Sequence, residues 1–163
     1  MSNRKLKVMS SRSFPPLALW RSIPAPELKM RDVGRLRDAM YGVQILGEPE
    51  WRAAVEGDPA EAVGIAIRVA AKEQLNGLVV DLVMSAVLAT AIEGDHAACH
   101  LLTHVLNRRS AFEPNAGNLA TSWTLASRNI ASVRRGRRQS PGMRPPRHQR
   151  VASCAAPTYF KGS

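Results

Sequence analysis

LVVDLVMSAVLATAI, the run from Leu78 to Ile92, interrupts its apolar residues only with Asp81, Ser85 and Thr90. A bilayer span needs roughly 20 consecutive apolar residues. This run is shorter and carries an acid. It does not alternate as a half-buried strand would. The run therefore predicts a core helix extending to Glu93. Its polar stripe, Asp81, Ser85 and Glu93, is so narrow that other helices must cover most of its circumference.

Working outward, capping chemistry places the neighbours. Upstream, Gly57-Asp58-Pro59-Ala60-Glu61 is a strong helix start. The Asp58 carboxylate can accept from orphan N–H groups, Pro59 presets the backbone, and Glu61 is placed to reach back to the cap. That helix is expected to reach about Gln74, with Asn76-Gly77 as its C-cap and turn. Downstream, Gly94 breaks the core helix and Asp95 caps another, running to about Arg108. After the loop Pro114–Gly117, Asn118 is expected to cap a last helix to about Ala131, with Leu119, Trp123, Ala126 and Ile130 facing inward.

Nearer the N-terminus, Pro26 suits a first helical turn. A helix from there to about Tyr41, stopped by Gly42, would bury Leu28, Val33, Leu36 and Met40. A short helix from Pro49 to Val55, closed by Gly57, completes the set. Short connections make successive helices antiparallel. The expected fold is all-α: antiparallel helical hairpins, as a small bundle or a short α-solenoid-like array, with disordered basic termini. An aromatic share of 5% points to a core of Ala, Val, Leu and Ile.

The hairpins also echo one another. Gly57-Asp58 recurs as Gly94-Asp95, 37 residues on. The same offset aligns Ile65 with Leu102, Val69 with Leu106, Leu82 with Leu119 and Leu88 with Leu125. Solenoids stack such units, usually three or more, and no tetratricopeptide or ankyrin signature accompanies this pattern.

Charge divides the chain differently from hydropathy. The formal net charge of +10 arises entirely in the ends. Residues 1–24 carry five bases and no acid, and residues 133–163 carry eight bases and no acid, leaving a middle with ten bases against thirteen acids. The expected organisation is a disordered basic arm over residues 1–25, a helical domain over 26–132, and a disordered Arg/Pro-rich tail over 133–163. Pro15, Pro16 and Pro24 oppose the amphipathic helix of an organelle transit peptide. Leu17–Trp20 is too short for a secretory core. Two cysteines, Cys99 and Cys154, are too few for a disulfide framework, and a cytoplasmic protein with reduced thiols is expected.

Three histidines, His96, His100 and His104, fall at a spacing of four on one helix, which brings successive imidazoles together and makes them candidate metal ligands. The apolar positions Ala98, Leu101, Leu102, Val105 and Leu106 lie on the opposite side, so the histidines are expected to face solvent. No metal or other cofactor is expected. In the tail, Arg134, Arg135, Arg137 and Arg138 form a cluster suited to phosphate, in a segment that its prolines should keep extended. An acid-free Arg/Pro/Ser composition is equally what unselected GC-rich translation yields, so this tail is expected to be dispensable. Aromatic interleaving, which a single-strand stacking platform needs, is missing until Tyr159 and Phe160.

No Gly-rich phosphate loop, zinc-protease pattern or nucleophile elbow occurs. The chain reads as a non-enzymatic protein-interaction module or small oligomer, with a protein partner or a second copy as its target and no membrane association. The alternative is a nucleic-acid-associated protein that binds through its basic tails.

Overall fold

A computed structural model of the chain describes residues 15–71 and 75–139, the last seven as backbone only. Two short 3-10 turns, Pro16–Arg21 and Ala25–Glu27, precede six helices. These are α1 (Met30–Met40), α2 (Trp51–Glu56), α3 (Pro59–Ala70), α4 (Leu78–Ile92), α5 (His96–Arg109) and α6 (Ala116–Gln139). Among the described residues there is no strand, and no helix is long and apolar enough to cross a membrane.

Helix α4 has the bounds its apolar run implies, and every residue from Leu82 to Ala91 is buried. α1, α3, α5 and the first 3-10 turn all pack around it. Hydrogen bonds fix their directions. Arg108, at the end of α5, donates to the Ala70 carbonyl at the end of α3, so these two helices run parallel. Arg109 reaches the Asn76 side chain in the turn before α4, so α4 runs opposite to both. His96, at the start of α5, meets Ser127 well along α6, so α5 and α6 form a second antiparallel hairpin.

The Asp caps act as their chemistry implies, although the Asp58 N–H donates to the Ala53 carbonyl rather than to Glu61. The Asp58 carboxylate accepts from the N–H groups of Ala60 and Glu61, at 2.9 and 3.2 Å. The Asp95 carboxylate accepts from Ala98, at 2.8 Å. Gly57 and Gly94, which precede these caps, both have positive φ, 111° and 95°. The two hairpins also match in burial at Ile65 and Leu102, and at Leu82 and Leu119. They part at Leu88, fully buried, and Leu125, 55% exposed, because α4 is covered on several sides and α6 is an outer helix.

Several boundaries differ from the sequence expectation. The largest difference is at the N-terminus, where residues 16–25 are packed structure rather than a disordered arm. Leu19 and Trp20 are buried, Trp20 completely. The indole N–H donates to the Asp81 carboxylate at 3.0 Å, and the Arg21 guanidinium grips the same carboxylate through Nε and Nη2 at 3.1 and 2.9 Å. The Arg109 guanidinium carbon lies over the Trp20 ring, 5.1 Å from its centroid. This short apolar stretch closes one side of α4. The core is also less purely aliphatic than its composition suggested, since Trp20, Trp51 and Trp123 are all within it.

Helix α1 begins at Met30, not Pro26. Pro26 belongs to the second 3-10 turn, and Leu28 and Lys29 are extended. The Asp32 carboxylate accepts from the Lys29 N–H at 2.9 Å, which starts the helix four residues late. At the other end, α6 starts at Ala116, before Asn118, and continues past Ala131 to Gln139. Arg is a good helix former and an interior Gly costs only about 1 kcal/mol, so Gly136 does not stop it. The boundary expected at residue 133 thus falls inside a helix. Residues 1–14 and 140–163, most of both basic ends, lie outside the described residues.

Gly57 has a second constraint. A Cβ there would meet the Arg37 guanidinium, which an ion pair with Glu93 at 2.9 Å holds in place. Gly57→Ala is therefore expected to lower unfolding stability by about 1–3 kcal/mol, through a positive-φ penalty plus displacement of Arg37, as read by urea denaturation. Trp20→Ala is expected to cost about 3–5 kcal/mol. Trp20→Phe, which keeps most of the ring but leaves the buried side of Asp81 without its N–H donor, should cost about 1–3 kcal/mol. A Trp20→Ala protein as stable as the parent would refute a structural role for the N-terminal segment.

Candidate functional site

Two places on the molecule gather groups that local helix formation does not explain. The first is the long connection between α1 and α2. After Met40 the chain makes two left-handed turns, at Gly42 (φ 78°) and Gly47 (φ 85°). Trp51, buried at the start of α2, donates its indole N–H to the Val43 carbonyl at 2.9 Å and so pins the connection. The Glu48 carboxylate pairs with the Arg68 guanidinium of α3 and raises its pKa, tying the far end down.

Between these anchors lies a half-open hollow of about 910 Å³, floored by Met40, Ile45, Trp51 and Val55. On its rim Tyr41 is 86% exposed and Leu46 is fully exposed. Burying a large apolar side chain is worth about 1.5–3 kcal/mol, so the fold leaves unused stabilisation here. Glu48, Arg52 and Glu56 complete the edge, with Arg52 and Glu56 paired at 2.9 Å. Sequence reasoning missed this site; the signal that could have found it is Val43, Ile45 and Leu46, apolar residues in a Gly-punctuated connection where burial within a helix cannot account for them.

The second place is the seam between α5 and α6. The expectation that the histidines face solvent holds for His100 and His104, which are exposed, and only in part for His96, which is half-buried. The Nε2 atoms of His96 and His100 converge on the Ser127 hydroxyl, at 3.0 and 3.4 Å. Their rings meet edge to face, with centroids 4.4 Å apart. Ser127 has one hydroxyl proton and two lone pairs, so it can donate to one imidazole at most, and the ring tautomers set the roles. The contact with Ser127 takes in His96 and His100 but not His104, one turn further on. Among the described residues no three His, Cys, Asp or Glu side chains are arranged to hold a metal ion. Ser127 is only 2% exposed, so this contact is a polar weld between helices rather than an accessible nucleophile.

Arg134, Arg135, Arg137 and Arg138 lie on the helical backbone of α6, not on the extended segment expected for them. Comparison of the chain with protein-family models, with curated proteins and with solved structures finds no match.

Cys99, on α5, is buried with its thiol 3.9 Å from the Ala91 carbonyl of α4, and desolvation, aided by the nearby Asp95 charge, pushes its thiol pKa up to about 11. An unfolded thiol ionises near ~8.5. The folded pKa is the higher one, so this group's contribution to stability is complete below ~8.5 and is lost as pH rises toward 11. In a Cys154→Ser protein, a thiol reagent at mildly alkaline pH is expected to label Cys99 only as fast as the fold opens. The urea midpoint should then fall above about pH 9. Immediate stoichiometric labelling of the folded chain would contradict the burial.

Proposed function

We propose that this protein is a non-catalytic protein-interaction module whose contact face is the hollow between α1 and α2. The observation that carries the reading is the combination of an apolar floor with the exposed side chains of Tyr41 and Leu46 on a connection pinned at both ends. Interface anchors are typically aromatic or large apolar groups beside a desolvated pocket. A pre-pinned loop also loses little further entropy on binding. The rim carries Glu48 and Glu56 against Arg52, with the exposed Glu50 beside them. A partner segment with apolar anchors and a flanking base matches that rim.

The basic ends are the ground for the alternative, association with nucleic acid. Their charge would make such binding fall steeply with salt. One experiment separates the two readings. A photo-crosslinking residue placed at Leu46, and as a control at Ile67 (56% exposed on α3), is activated in cells expressing the full chain. Discrete protein adducts are expected from position 46 and not from position 67. Equal adducts from both positions, or none from 46 together with nucleic acid that co-purifies and is released by salt, would overturn the reading.

A further inference from the structure

The turn between α3 and α4 contains Asn76-Gly77, and its surroundings are chemical as well as structural. Asn76 is exposed. Gly77 has φ 105° and ψ 169°, and nothing stands within 4 Å of where its Cβ would be. The backbone nitrogen after Asn76 is thus free of the side-chain bulk that normally shields it. The Gly77 carbonyl is held by the Asp81 N–H at 3.0 Å, which fixes the peptide at the mouth of α4. Arg109 supplies the remaining group. Its side chain is 7% exposed, and its Nη1 donates both to the Leu75 carbonyl and, at 3.3 Å, to the Asn76 side-chain oxygen.

We propose that Asn76 is a spontaneous modification site, deamidating through attack by the Gly77 nitrogen, with the Arg109 guanidinium stabilising the oxygen that becomes charged. The Gly77 amide gives its proton to water, and its nitrogen forms a bond to Asn76 Cγ. Negative charge gathers on Oδ1, where Arg109 donates. The Cγ–Nδ2 bond then breaks and ammonia leaves, taking a proton from solvent. The resulting five-membered succinimide is opened by one water at either carbonyl, giving Asp or isoaspartate. The net change is water consumed and ammonia released, with no oxidant or other reactant.

The two products act oppositely on the fold. An Asp at position 76 sets a carboxylate against Arg109 and just ahead of the positive end of α4, and both favour the anion. Isoaspartate inserts a methylene into the backbone between Leu75 and Gly77, which pulls the turn away from Arg109. The site therefore ages into a tighter form or a looser one, according to which carbonyl water attacks.

The test is peptide mapping of the full chain, with enzymatic methyl-labelling of isoaspartate, after incubation at mildly alkaline pH, folded and in parallel in urea. Folding ordinarily slows this reaction. A charge-assisted hydrogen bond to the developing oxyanion offsets that by about tenfold in rate. The expected result is that Asn76 converts in the folded chain at least as fast as in urea, and faster than Asn107 and Asn129 on their helices. Asn76→Asp is expected to raise the urea midpoint, and Asn76→Gln to abolish conversion at this position. Conversion about tenfold slower folded than in urea would overturn the role of Arg109. A rate no higher than that of Asn107 would overturn the site itself, and a lowered midpoint for Asn76→Asp would overturn the tightening.

Discussion

Trp20 lies between two charges of opposite sign, the Asp81 carboxylate at its indole N–H and the Arg109 guanidinium against its ring. Neither charge is well solvated, with side-chain exposures of 18% for Asp81 and 7% for Arg109. A buried ion deprived of a partner costs several kcal/mol, so the set is cooperative. Asp81 needs Trp20 and Arg21, and both Asp81 and the indole are seated on α4. Arg109 in turn holds the Leu75 carbonyl, Asn76 and Glu113. One aromatic ring thus couples the N-terminal segment, the core helix, the end of α5 and the turns on either side of it.

That coupling explains why α4 tolerates an acid at all. An all-round apolar helix must be wrapped, and on the Asp81 side the wrapping is done by a neighbour that covers apolar surface and also donates to the carboxylate, a Trp followed by an Arg. Where α6 meets α5 the wrapping is again polar, through Ser127 and two histidines. Both contacts fix which helix faces agree, because a buried hydroxyl or carboxylate rejects registers that leave it unpaired.

The hollow between α1 and α2 draws on none of these groups. It is held by its own anchors, Trp51 to Val43 and Glu48 to Arg68, and its rim side chains remain in solvent. A partner could fill it without disturbing the buried charge set. The buried charge set and the pinned connection are thus held by separate interactions.

How much was readable from the chain follows from distance along it. The bounds of α4, the caps at Asp58 and Asp95 and the glycine stops at Gly57 and Gly94 are written within a few residues, where periodicity and capping act, and the helices formed there as expected. Helix ends without such signals were misplaced, at Pro26, where a 3-10 turn intervened, and at Ala131, where nothing breaks the helix. Of the site, the apolar residues of the α1–α2 connection belong to no periodic segment and were passed over, and their assembly around Trp51 has no local signal. Trp20 and Asp81 are 61 positions apart, and His100 and Ser127 are 27 apart. No local pattern encodes such pairings. Helix content and core order were decided by the chain's own periodicity. Which polar groups are buried, and what each one holds, came only from packing, because desolvation forces a partner on a charge wherever the fold happens to enclose it.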